Sequence, residues 1–441
     1  MGERGSAAPP PASVTSGAGT SGTGTPQRRP ELDAIRVLVV VGLVFFHSAL
    51  VFDTRDDYYV KNAATTDVTM YLAGLAVLWA MPMLFLVSGV GSWYSLRRRG
   101  AGGFAVERLR RLGVPLLFAT FVLLPLPQWL RRLGEGGRES YPEFLGLFFD
   151  VHLDLTEFPF VVRGDYFESG HLWFVVLLLA FSLLLAPAVR WFPRDAARRA
   201  GEMLAAAVRV RGMVLLLPAI PLALVSALHG MEEGFAAWSR WAYLLFFLYG
   251  YAIAADPRLR EAMRREAIWA VAATLVLFGI GMPVFLVVGE TTGADPFTVL
   301  IPAAMGARAM YGAAGWCCLV AILGLLDRRR SRGSAAAVPP ASAGSPGSAG
   351  SAGSAERVAD APPGRARRVY AYLAEAALPL YILHQPAVVA VAYQVVRWDA
   401  PILVKYPMIV IAAGALTLAA YDLLVRRTPV TRFLFGMRPA R

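Results

Sequence analysis

The chain has 441 residues, of which 56% are hydrophobic and only 17% charged, with a formal net charge of +12. A soluble protein would carry about 25% charged residues, so the composition excludes an ordinary soluble enzyme and points to a chain that lives in a lipid bilayer. In a soluble protein this positive charge would raise nucleic acid as a partner. Here it gathers in alternate loops, as membrane orientation requires, and no nucleic-acid partner is expected.

Residues 1–30 are rich in Gly, Ser, Thr, Ala and Pro and lack the apolar core of a signal peptide, so they read as a disordered tail. Apolar runs then recur near 34–52, 69–95, 113–130, 171–189, 213–228, 237–254, 268–288, 298–326, 369–392 and 403–424. A span needs about 20 such residues, and the ten runs predict an all-α integral membrane protein with ten transmembrane helices. The third run is broken by Pro125 and Pro127, and the fifth is short. Spans one to eight fill residues 31–330, spans nine and ten belong to the same domain at 367–436, and 437–441 form a short tail. Between them, residues 331–366 repeat Gly, Ser and Ala as a flexible linker.

Arginines mark every second loop, as at Arg97–Arg99, Arg190–Arg199, Arg258–Arg265 and Arg328–Arg330, whereas Asp53, Asp56 and Asp57, then Glu232 and Glu233, mark the loops between. This alternation predicts both termini on the cytoplasmic side. Cys317 and Cys318 are adjacent in an apolar run and point in different directions on a helix. They read as packing residues, not as a disulfide or metal pair.

Ionisable groups inside a span are costly and are candidates for function. Span one carries Asp33, Arg36 and His47. Eleven residues separate Arg36 from His47, about 16 Å along a helix and within roughly 20° of one face. One stripe therefore presents a carboxylate and a guanidinium at the cytoplasmic mouth and an imidazole deeper in. Histidine suits general-base work near neutral pH; the bland alternative is a buried ring bonded to a carbonyl. His171 opens span four beside Trp173. His384 lies in span nine near Tyr381, between Pro379 and Pro386, at a depth comparable with His47. Without any short histidine spacing, no metal site is expected. Arg108 and Arg111, with Arg110 between, could clamp phosphate oxygens, or could be plain positive-inside charge.

Arg36-x10-His47 in span one, Arg108-x-x-Arg111 before span three and Phe85-Leu-Val-Ser-Gly89 resemble the acyltransferase-3 family of integral membrane acyltransferases. Glu107-Arg-Leu-Arg-Arg-Leu-Gly-Val-Pro115, His171-Leu-Trp-Phe174 and Leu380-Tyr-Ile-Leu-His384-Gln-Pro386 are most similar to its glucan succinyltransferase subgroup, over residues 31–436 without the linker. The resemblance implies an enzyme that moves a short acyl group, acetyl or succinyl, from cytoplasmic acyl-coenzyme A to a hydroxyl of an envelope glycan or glycolipid. It implies the plasma membrane as location and no permanently bound cofactor. His47 would be the catalytic histidine, as base or acyl carrier, Arg36 its partner, and Arg108, Arg110 and Arg111 the donor clamp. The subgroup tends to pair histidines where this chain has His384-Gln385. Arg308, inside span eight, reads as an oxyanion stabiliser or as a structural partner of Glu375. A multi-span transporter or flippase of a glycan or lipid-linked intermediate is the rival reading, against which no inverted repeat is visible.

Overall fold

A computed structural model of the protein describes residues 30–54, 57–336 and 364–438. The expected tail and most of the expected linker lie outside the described residues. Each of the ten apolar runs is helical. The helices are α1 Pro30–Leu50, α2 Val68–Arg108, α3 Val114–Val122, α4 Pro125–Gly134, α5 Tyr141–Phe148, α6 Trp173–Trp191, α7 Arg194–Ala207, α8 Met213–Leu228, α9 Arg240–Ala255, α10 Pro257–Thr292, α11 Pro302–Ala336, α12 Arg365–Val395, α13 Ile402–Ala420 and α14 Pro429–Leu434. Among the described residues, one two-stranded antiparallel pair joins His152–Leu153 to Val162–Arg163.

Seven helical stretches among the described residues are long and apolar enough to cross a membrane. Run three and all of run two from Gly74 onward share one of them, Gly74–Gly134, while runs five and six form the 16-residue helices α8 and α9. At 1.5 Å per residue such a helix is about 24 Å long, short of a hydrocarbon core of about 30 Å. The third run stops at Val122 and restarts at Pro125, because proline cannot donate a helical hydrogen bond but is welcome in a first turn.

Two features of α2 position the site. Gly100 sits at φ +69°, a conformation open to glycine, and breaks the helix so that residues 101–108 leave the direction of the preceding turns. A π-helical turn, Leu109–Gly113, follows and leads into α3. Higher up, α2 crosses α9 backbone to backbone. A Cβ added at Gly89 would lie 1.9 Å from Phe247 O, and one at Gly250 would lie 1.9 Å from Leu86 O. Small residues permit such approaches, and close packing holds helices together where lipid supplies no hydrophobic drive between them.

The main core runs through α2, α6, α9, α10 and α11, with Phe85, Phe174, Tyr243, Phe246 and Phe247 buried at its centre. A second cluster joins the end of α1 and the following loop to α12 and α13 through Phe52, Tyr58, Val388, Val389 and Ile409. Cys317 and Cys318 are unbridged thiols. Arg308 does not pair with Glu375, contrary to that structural alternative. Fully buried, it donates to Ser226 O (3.1 Å), Ala227 O (2.9 Å) and Pro296 O (2.9 Å). Two of these are end carbonyls of α8, which have no partner within the helix. Glu375 instead pairs with Arg432 of α14 at 2.9 Å.

Candidate active site

The site begins at α12. Pro386 lacks the N–H that would bond Ile382 O four residues earlier. That carbonyl faces His171 Nε2 at 3.0 Å. Tyr381, one residue before, donates its hydroxyl to the backbone oxygen of His171. His171 itself sits on a 3₁₀ turn, Gly170–Leu172, at the head of α6. Proline in α12 thus frees the acceptor that fastens α6 to it. Nearby, Tyr59 donates to Glu168, and its oxygen lies 2.9 Å from where a Cβ on Gly170 would be. Burial, then the Glu168 carboxylate, hold the Tyr59 hydroxyl well above its ordinary pKa.

His47, in the last turn of α1, comes into this corner. Its ring centroid is 5.0 Å from that of His384, and the His384 centroid is 5.2 Å from that of His171. The three imidazoles therefore form a row with His384 in the middle. His384 is fully buried and its Nδ1 lies 2.6 Å from Tyr381 O. Tyr58 and Phe46 flank His47 at 5.9 and 5.4 Å. His47 Nδ1, His171 Nδ1, His384 Nε2 and Gln385 Oε1 are all buried without a hydrogen-bond partner. Trp173 is buried among Phe85, Phe235 and Tyr243, so it packs the wall behind the row.

Arg36, at the other end of α1, belongs to a second group. It contacts Asp33 Oδ1 at 3.3 Å and Val87 O at 3.3 Å. The Gly100 break and the π turn bring Arg108 and Arg111 to the same mouth, close enough for Arg36 to be repelled by both. Arg108 donates to Ser92 Oγ at 3.2 Å and lies over the Phe104 ring. Its Nε is buried without a hydrogen bond, 4.0 Å from Glu107 Oε2. Arg111 reaches Glu107 at 3.5 Å and Gly436 O at 3.4 Å. Arg99 also faces Glu107, at 3.8 Å. Arg110 is exposed and takes no part in these contacts.

Arg36, Arg99, Arg108, Arg111 and Arg438 thus crowd around two carboxylates, Asp33 and Glu107. The crowding is visible in Arg438, whose pKa falls below its ordinary value chiefly through Arg111, then through burial and through Arg98 and Arg99. Such a mouth attracts anions. Motif reading passed over Ser92, Arg99 and Arg438, and quoted Glu107 without giving it a role. Glu107 carried a signal, being one residue before Arg108. Arg438, more than 300 residues away in sequence, carried none. A separate polar cavity of about 560 Å³ is lined by Tyr94, Arg260, Arg264, Asp327 and Arg330. There Arg264 is held by Glu261 and Arg330 by Glu31. No group of three His, Cys, Asp or Glu side chains among the described residues is placed to hold a metal ion.

An acyl-transfer site needs a base near the reacting hydroxyl and a place for the donor's charge; this helical bundle offers a histidine row and an arginine mouth joined by one helix. Residues 29–426 match the family described as "Acyltransferase domain". The chain belongs to this acyltransferase family and is an acyltransferase. No curated protein and no solved structure matches it.

Proposed function

We propose that the protein is a ten-span O-acyltransferase of the plasma membrane, with both termini cytoplasmic. It takes a short acyl group, acetyl or succinyl, from cytoplasmic acyl-coenzyme A and places it on a hydroxyl of an envelope glycan or glycolipid. The observation that carries this reading is the placement of Arg36 and His47 at the two ends of one helix, α1. Arg36 joins a mouth where five arginines face two carboxylates, which suits the phosphates of the donor. His47 stands about 16 Å further on, beside two more imidazoles. The motifs are read as those of the glucan succinyltransferase subgroup, which makes succinyl the acyl group to look for first.

In this reading His47 acts as general base. It takes the proton of the acceptor hydroxyl as that oxygen attacks the thioester carbonyl. The new C–O bond forms, the C–S bond breaks, and the proton ends on the departing sulfur. The test is mass spectrometry of envelope glycans from a deletion strain complemented with wild type or with His47→Ala. One acyl mass, lost on deletion and restored by wild type alone, is the expected result. Restoration by His47→Ala would remove the role of His47. An unchanged acylation profile, with glycan retained inside, would replace the enzyme reading by the transporter reading.

A further inference from the structure

Two adjoining openings lie among α1, α2, α9, α10 and α11, lined by neither the histidine row nor the mouth arginines. One is the polar cavity of about 560 Å³, a size that suits a small-molecule group. The other is an apolar crevice lined by Leu32, Leu86, Val90, Met263, Leu323 and Leu326. It is narrow, with about 30 Å³ of free space, so it admits the edge of one chain and nothing wider. Tyr94, Arg260 and Asp327 line both, so the crevice meets the cavity at these residues. The walls are fixed. Arg328 donates to Arg264 O at 2.6 Å and to Arg265 O at 2.8 Å, which fastens α11 to α10. A Cβ on Gly324 would lie 2.5 Å from Met263 O, so the two backbones also meet beside the crevice. A pre-formed opening binds without the cost of ordering its walls.

Charge says what the cavity takes. Arg260, Arg264 and Arg330 line it with two carboxylates, Glu261 and Asp327, an excess of one positive charge. Glu261 grips Arg264 through Nε at 2.9 Å and a terminal nitrogen at 2.6 Å, and Glu31 lies 3.6 Å from Arg330. Arg260 has no comparable grip, its Nε being without a hydrogen-bond partner. A guanidinium at the head of an apolar crevice suits a phosphate joined to an apolar chain. Coenzyme A also carries phosphates, but its pantetheine arm bears amides, which an apolar crevice would strip of water without replacing their hydrogen bonds. A membrane phospholipid fits both halves. One wall, α10, leaves Ile268, Trp269 and Leu275 exposed, as a helix in contact with lipid does.

We propose that the two openings bind one anionic phospholipid, its phosphate on Arg260 and the start of an acyl chain in the crevice. Basic pockets between spans are where such headgroups are recognised. Tyr94 supplies a hydroxyl donor where crevice and cavity meet. The lipid fills the seam that α1 shares with α2, α10 and α11, touching α1 at Leu32, one helical turn from Arg36. The site does not depend on the acyl-transfer reading.

The test is native mass spectrometry and thermal melting of delipidated protein in detergent, titrated with dioctanoyl phosphatidylglycerol. The wild type should take up one lipid and melt at a higher temperature. Arg260→Gln should weaken binding about tenfold to a hundredfold, as loss of a hydrogen bond to a charged group does. Arg211→Gln, an exposed arginine outside both openings, should leave it unchanged. Failure of the wild type to bind, or equal losses at the two positions, would overturn the site. Equal affinity for dioctanoyl phosphatidylcholine would overturn its preference for an anion. Inorganic phosphate binding as tightly as the lipid would reduce it to a bare anion site, and displacement of the lipid by coenzyme A would give it to the donor; either result overturns the proposal. If Arg260→Gln does not fold, Ala254→Met decides. Ala254 lines the crevice, so filling it should weaken lipid binding, and unchanged binding would overturn the proposal.

Discussion

Three arginines within four residues behave differently across one π-helical turn and the residue before it. Arg108 and Arg111 enter the mouth and share Glu107, whereas Arg110 is exposed. A hydrogen bond to a charged group contributes about 1.5–3 kcal/mol, which is about tenfold to a hundredfold in affinity. Arg108→Gln is therefore expected to raise the donor KM by that factor with a smaller change in kcat, and Arg110→Gln to leave both close to wild type. Steady-state kinetics with acyl-coenzyme A checks this; equal effects at the two positions would remove the distinction. The inward pair was legible in the sequence as an i, i+3 spacing. Arg110 was expected in the clamp because an arginine run announces charge but not direction. The alternative that paired Arg308 with Glu375 failed for a related reason. The partners of Arg308 are three backbone carbonyls, and carbonyls leave no trace in a sequence, whereas Glu375 was a visible opposite charge.

Among the helices, the crossing of α2 and α9 is the tightest determinant of where the mouth lies, because α2 carries Ser92 and Arg108 at its far end. Gly89→Ala or Gly250→Ala would force the backbones apart, and overpacking of this kind typically costs about 1–3 kcal/mol. Both variants should melt at a lower temperature in detergent. Gly102→Ala, at an exposed helical position with open space around it, should melt at or slightly above the wild-type temperature. A common shift in all three would show that helix propensity, not the crossing, is being measured. The break at Pro125 could be anticipated, since proline is an explicit stop. The break at Gly100 could not, because a helix interior tolerates glycine and only φ +69° reveals the turn. Pro386 was visible beside His384; that its missing N–H would release Ile382 O to His171 depends on which helix lies alongside.

For the molecule as a whole, the sequence yielded the helical membrane class and the location of every apolar run, because lipid imposes a long, simple pattern. It did not yield how many stretches are long enough to span, since α8 and α9 are only 16 residues each and runs two and three share one stretch. The proposed orientation has a direct test. With Cys317 and Cys318 replaced by serine, Leu155→Cys should react with a membrane-impermeant maleimide in intact cells, and Arg199→Cys only after lysis. Both positions are exposed. The reverse labelling would invert the orientation and detach the arginine mouth from the proposed cytoplasmic donor.

The last described residues are part of that mouth. Arg432 ties α14 to Glu375, Phe435 is buried against Phe118, and Gly436 O takes the Arg111 Nε hydrogen. A ribosome adds these residues after α1 to α13 have been made. The newborn chain therefore holds its histidine-bearing segments well before its arginine mouth has a closed rim.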